Sequence, residues 1–352
     1  MRPPITCTLL LLLFTGCATS ERRSAPGFPG ASASLVWPAP PDPPRIRYVG
    51  ELRGESSIRA RAKLGDTLRA VLAGPPARSD FATPMAVAVD AGRVYVADPG
   101  HPAGAAVHVL DLDAQTYARW TAAGGAPLQW PIDVATANGR VAIADARRAA
   151  VFVGAASGSN FATLGAGVLQ RPSAVAIARD GRVWVLDAAL HTLFCFNADG
   201  SVATRVGGRG GEAGLFSFPA GLALRDAPAA TQPTDEPHMA VADSMNFRVQ
   251  LLDAAGAARA FGRKGDAAGD FSLPRDVAFD RAGHVYVLDN QFENVQVFDT
   301  QARLLLAFGE EGDAPGRFSL PSGITIDPQD RIWVADTYNR RVQVFQYIGA
   351  TP

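Results

Sequence analysis

FSLPSGITIDPQDRIWVADTYNRRVQVF, residues 318–345, reads as three short strands. Gly323–Asp327 is apolar and partly β-branched, and Pro328-Gln329-Asp330 makes a turn. Ile332–Ala335 is a second apolar run. Asp336-Thr337-Tyr338-Asn339-Arg340 forms a polar loop, and Val342–Phe345 alternates apolar and polar. A unit this small cannot bury both of its faces, so it must stack on copies of itself.

The copies emerge on aligning the proline that opens the first strand with the aspartate that closes the second. The pairs are Pro84/Asp98, Pro131/Asp145, Pro172/Asp187, Pro219/Asp243, Pro274/Asp289 and Pro321/Asp336. Successive prolines are 47, 41, 47, 55 and 47 residues apart. Six residues separate the aspartate from the first apolar residue of the third strand in five units (Val151, Leu193, Val249, Val295, Val342). In the first unit the Pro99–Gly104 insertion stretches this interval, which ends at Val107. Such a period, with about four strands per unit, predicts propeller blades. The fold class expected is all-β, a six-bladed β-propeller of four-stranded antiparallel blades.

FSFPAGLAL (216–224) with MAVADSMNFRVQLLD (239–253), FSLPRDVAF (271–279) with VYVLDNQFENVQVFD (285–299), and the opening stretch resemble NHL repeats. So do the joining loops VGGRGGEAGLFSFP (206–219), FGRKGDAAGDFSLP (261–274) and FGEEGDAPGRFSLP (308–321). The likeness spans about residues 81–345 and is specific in blades 4 to 6; blades 1 to 3 keep the strands and lose much of the loop signature. It implies a six-bladed propeller used mainly for binding.

The repeats override the two-domain prior that 352 residues would suggest. Net charge is −1, against a nucleic-acid partner held by bulk charge. The apolar run Leu9–Phe14 is too short to span a bilayer and fits a signal peptide over 1–16. Thr15-Gly16-Cys17 resembles a bacterial lipoprotein box, with Phe14 departing from the usual leucine; an ordinary secretory signal cut near Ala18 is the alternative. The resemblance implies lipidation at Cys17 and a membrane anchor. Ala18 after the cysteine implies the periplasmic face of the outer membrane. Residues 17–44, rich in Pro, Ser, Gly and Ala, read as a tether. The propeller is expected over 45–348, with repeats over 81–346. Blade 6 stops short of a fourth strand, and RIRYVGEL (45–52) alternates, so it is expected to close that blade. Residues 56–72 predict a short helix, weakened by Gly65. Cys195, in LFCF, reads as a buried thiol.

The six aspartates are read as acceptors of backbone N–H groups in the turn after strand two. Asn246/Arg248 and Asn339/Arg341 complete the family's Asp-x-x-Asn-x-Arg pattern. Positions off the pattern in the same loops are the ligand candidates: Arg147, Arg148, His191, Phe292, Glu293, Tyr338 and Arg340. Those loops all point one way, which makes one face of the ring. Asp133 and Asp276 follow their prolines by two and fall on opposite blades, so they are expected to face across the channel mouth, with Arg275 as local counter-charge. A mouth about 10 Å wide is too broad for one Ca²⁺, whose ligands sit at about 2.3–2.6 Å. None of the five histidines falls on an inner strand, and zinc needs three or four converging ligands. GGRGGEAG (207–214) precedes a strand, not a helix, so it is read as an inter-blade connection.

These readings predict a non-enzymatic envelope lipoprotein that binds a protein, peptide or glycan through its loop face, with no cofactor, no metal and no nucleic acid. The alternative is a metal-dependent hydrolase or lyase, lactonase-like, with its site at the channel mouth.

Overall fold

The computed structural model describes Phe28 and residues 35–58, 79–225, 238–253 and 258–349. The signal peptide expected over 1–16 and Cys17 lie outside the described residues. So does the expected helix beyond Ile58; Glu55–Ser57 forms a 3-10 turn.

Six antiparallel sheets make up the ring. Their innermost strands are Ala86–Asp90, Pro131–Ala137, Pro172–Ile177, Gly221–Leu224, Pro274–Phe279 and Gly323–Ile326. Each neighbours the next, and Gly323–Ile326 returns to Ala86–Asp90, so the circle closes. Blades 1 to 5 have four strands each. In blade 6 the fourth strand is Ile46–Leu52, paired antiparallel with Arg341–Tyr347 in a register that sets Tyr48 against Phe345 and Leu52 against Val342. The closing strand is therefore where the sequence places it. A fifth strand, Val36–Trp37, pairs with Ile46 and Arg47. It falls within the stretch read as a tether, and Trp37 packs on Phe345 with ring centroids 5.7 Å apart. Phe28, also in that stretch, is buried against Trp333.

Period-2 alternation explains the packing: successive side chains leave a strand on opposite faces, and each face meets a neighbouring blade. In blade 6, Ile332 and Val334 join Tyr286, Leu288 and Val297 of blade 5. Trp333 and Ala335 join Val94, Val96 and Leu110 of blade 1. The buried residues thus form six clusters, one at each blade boundary. At 25 cal/mol per Å² of apolar area, burial of one such side chain contributes about 1.5–3 kcal/mol.

The glycine-rich joining loops follow from the same packing. Phe216, Phe271 and Phe318 are fully buried. A Cβ on Gly262 or Gly309 would stand 2.2 or 2.3 Å from the ring of Phe271 or Phe318, at φ of +87° in both cases. Only glycine fits both the space and the backbone. The segment 207–214 is accordingly a connection between blades 3 and 4.

Candidate functional site

The six blade aspartates organise the face that carries the loops between strands two and three. All six are fully buried. Asp145 accepts the amides of Arg147 and Arg148 in its own turn, and those of Gln129 and Trp130 at the approach to the inner strand. Asp187 and Asp289 do the same. The pattern Asp-x-x-Asn-x-Arg changes the donors. Asp243 accepts from Asn246, Arg248 and Gln250, and Asp336 from Asn339, Arg341 and Gln343. The aspartates are architecture, as the repeat implies.

Gln250, Gln296 and Gln343 are parts the sequence reading passed over. Each accepts an amide of the preceding joining loop (Gly214, Gly269, Gly316) at 2.8–3.0 Å and donates to a carbonyl of the same loop. The recurrent Val-Gln in strand three was the available signal. In blade 1 His108 takes this slot, its Nδ1 2.8 Å from the Tyr117 hydroxyl.

The residue four beyond each aspartate has positive φ in blades 2 to 6: Ala149, His191, Phe247, Glu293 and Arg340, at 50–55°. This conformation turns two ligand candidates inward. His191 is buried, and its Nδ1 accepts the amide of Phe218 at 2.9 Å. Burial, then Arg209 and Arg171, hold its pKa below the ordinary histidine value, which suits a neutral acceptor. Glu293 is buried too, and accepts the amide of Leu320 at 2.9 Å. Phe218 and Leu320 each precede the proline of the next blade, so both side chains fasten one blade to its successor. Arg148 spends its Nε on the Pro127 carbonyl, and Phe292 is half-buried.

Arg147, Tyr338 and Arg340 remain exposed. Arg147 lies over the Trp130 ring, 4.1 Å from its centroid, and Tyr338 is 72% exposed. The same face carries Phe218 and Met245, at 40% and 50% exposure. The Met245 amide donates a hydrogen bond to the Ser217 carbonyl at 3.1 Å, and the Arg171 guanidinium stands 5.7 Å from the Phe218 ring. Among the described residues, three of the five large exposed apolar side chains thus lie on this face, which also carries arginines.

Along the axis lies a cavity of about 770 Å³. Its lining begins at Asp133 and Asp276 and runs down the inner strands to Asp90, Asn138, Arg179 and Pro328 at their far ends. Asp133 and Asp276 stand two residues into their strands, at the end of this lining nearer the blade aspartates. Arg275 does not line the cavity, although both carboxylates feel its charge. Asp133 accepts the amides of Val134 and, in blade 3, Val175. Asp276 accepts those of Val277 and, in blade 6, Ile324. Burial pushes both pKa values up, that of Asp276 to about 7; the charge of Asp276 adds to the rise at Asp133. Among the described residues no three His, Cys, Asp or Glu side chains converge as a metal site.

These features define a class: a closed ring of six antiparallel blades, each fastened at its entry by a buried aspartate. The family model of the NHL repeat matches residues 318–345, so the protein is a six-bladed β-propeller carrying an NHL repeat. Similar solved structures include an auxiliary nutrient binding protein from Bacteroides thetaiotaomicron (TM-score 0.57, 12% identity, 76% of this chain and 69% of that one). A catalytically inactive histidine-to-alanine variant of virginiamycin B lyase from Staphylococcus aureus, with quinupristin, is another (0.50, 12%, 76% and 95%). So is a nidogen/laminin complex (0.53, 16%, 73% and 88%). At these identities the likeness establishes the fold alone.

Proposed function

We propose that this protein is a non-enzymatic binding protein of the bacterial envelope, anchored by lipid at Cys17, which takes a protein, peptide or glycan on the face of the strand-two-to-three loops. The observation that carries this reading is that exposed Tyr338, Phe218 and Met245 share one face of the ring with Arg147, Arg171 and Arg340. Aromatic, methionine and arginine side chains are enriched where interfaces hold most of their energy. The loops beneath are fixed by buried aspartates, so little ordering cost falls on binding. The nutrient-binding description of one structural neighbour agrees with a binding role.

The lyase alternative has less support. In the neighbouring lyase, replacing a histidine gives a catalytically inactive protein, and here no histidine lines the cavity.

The test is recovery of partners from envelope extract by wild type and by the triple variant Arg147→Glu/Tyr338→Ala/Arg340→Glu. Loss of the same partners with the variant is expected. Equal recovery overturns the assignment of this face. Mass spectrometry of the mature N-terminus tests the anchor, which requires an acylated Cys17.

A further inference from the structure

The six inner strands present equivalent amides at one level of the axis: Val87, Val134, Val175, Leu222, Val277 and Ile324, each following the slot held by Ala86, Asp133, Ala174, Gly221, Asp276 and Gly323. Two carboxylates serve four of these amides, on blades 2 and 3 and on blades 5 and 6. Blades 1 and 4, opposite one another, have no carboxylate in the slot or in that of the preceding blade. The acids are therefore peculiar to two blades.

Neutral groups tie three boundaries that have no carboxylate, 3–4, 4–5 and 6–1, and also tie 5–6. Ser173, Ser244, Asn290 and Thr337 donate to the carbonyls of Pro219, Pro274, Pro321 and Pro84 in the next blade. Blade-to-blade fastening does not need charge at the axis, yet charge is there. Among the described residues neither carboxylate enters an ion pair; Arg275 acts on both only through space. Two desolvated carboxyls thus stand across a cavity with incomplete compensation, and burying an unpaired charge is costly.

We propose that the axial cavity binds a small organic cation, a primary ammonium or guanidinium on a polar body, with its head between Asp133 and Asp276 and its entry among the hairpin tips. The volume of about 770 Å³ falls in the range of small-molecule sites, about 300–1,000 Å³. The walls are the inner edges of six strands, whose carbonyls and amides offer hydrogen bonds to a polar body. A Ca²⁺ ion fits poorly, because it takes about 6–8 oxygens and each carboxylate oxygen here already accepts an amide. None of the loop-face candidates lines this cavity.

The raised proton affinity of the pair gives a signature. A bound cation favours the ionised carboxyls, so protons compete with it. Affinity should rise as pH passes upward through about 7, the value for Asp276, by up to about tenfold per pH unit for one proton released.

Calorimetry on the full chain at pH 6 and 8 tests this, with ethanolamine, choline, agmatine and glucosamine as probes, ethylene glycol and glucose as neutral counterparts, and CaCl₂ alone. At least one amine should bind one-to-one, at least tenfold tighter at pH 8 and at least tenfold tighter than its neutral counterpart. Asp133→Asn/Asp276→Asn should abolish that binding. If that variant fails to fold, Pro328→Trp, at an exposed position of the mouth, should weaken it at least tenfold. No amine preferred over its neutral counterpart, binding unchanged by the variants, or one-to-one uptake of Ca²⁺ in place of the amines would each overturn the proposal.

Discussion

Arg341 is the side chain on which closure of the ring can be measured. It is 1% exposed. Its Nε donates to Asp336 at 2.7 Å, one terminal nitrogen to Glu51 of the closing strand at 2.9 Å, and the other to the carbonyls of Ala314 and Arg317 at 3.0 and 2.9 Å. Breaking a buried pair by removing one partner costs about 3–5 kcal/mol. All four acceptors keep another donor. Asp336 retains Ser319, Asn339 and Gln343; Arg317 retains Gln343; Glu51 retains Arg53. The Ala314 carbonyl retains the Arg317 amide at 3.0 Å, so Arg341→Met should fall near the lower end, about 3 kcal/mol. Arg248 is an internal reference. It makes the equivalent bonds in blade 4 to Asp243, Glu212 and Leu215, with the neutral Gly211 carbonyl in the place of Glu51 of the closing strand. Arg248→Met should cost about 1 kcal/mol less, because a carboxylate acceptor is worth about 1 kcal/mol more than a neutral carbonyl. A double-mutant cycle with Glu51→Gln isolates the difference, and a coupling of about 1 kcal/mol is expected for Arg341. Urea unfolding followed by tryptophan fluorescence supplies the free energies. Equal costs for the two arginines with no Arg341–Glu51 coupling would refute the reasoning, because the closing strand would then add nothing at this point.

Three further outcomes follow from the packing and the charges. Gly221→Ala would place a Cβ 2.5 Å from the Cα of Asp276 and 2.9 Å from the Arg275 carbonyl, so it should destabilise by about 1–3 kcal/mol; an unchanged urea midpoint would contradict the close approach of blades 4 and 5. His284 donates from Nδ1 to the Asp280 carboxylate at 2.7 Å, and that bond raises its pKa above the ordinary histidine value of 6.5. A raised folded-state value means stability fully present below about 6.5 and lost as pH climbs through the folded value; unfolding free energies of wild type should decline over that window relative to His284→Gln, and parallel pH profiles would contradict it. Cys195 is buried and burial pushes its thiol pKa up, so iodoacetamide should modify it only after denaturation; labelling in the native state, read by peptide mass spectrometry, would contradict its place in the blade 3–4 core.

Much of the fold was legible because repetition is a strong signal. A proline and an aspartate at fixed positions, recurring with a strand pattern between them, leave few architectures. The missing outer strand of blade 6 pointed to residues 45–52. Val36–Trp37 was not legible, since its flanking prolines read as a tether while its pairing partner is distant in sequence. The loop face was legible as a face, less so residue by residue. His191 and Glu293 looked like loop ligands, but the left-handed turn four residues after the aspartate directs them onto the next blade. Ala149, Phe247 and Arg340 occupy the same turn without such a bond, so type alone does not reveal the role. Asp133 and Asp276 stood out as exceptions in their slot; that both line one cavity depended on how the ring closes, which no single repeat encodes.

The account rests on partner binding by the loop face. Photo-crosslinking in the envelope, with p-benzoylphenylalanine placed at Tyr338 and, as the control, at Leu305 on the outer strand of blade 5, tests that most directly; both positions are exposed. The account predicts a discrete crosslinked partner from position 338 and none from position 305. Equal yields from both, or a partner captured from position 305 alone, would contradict it.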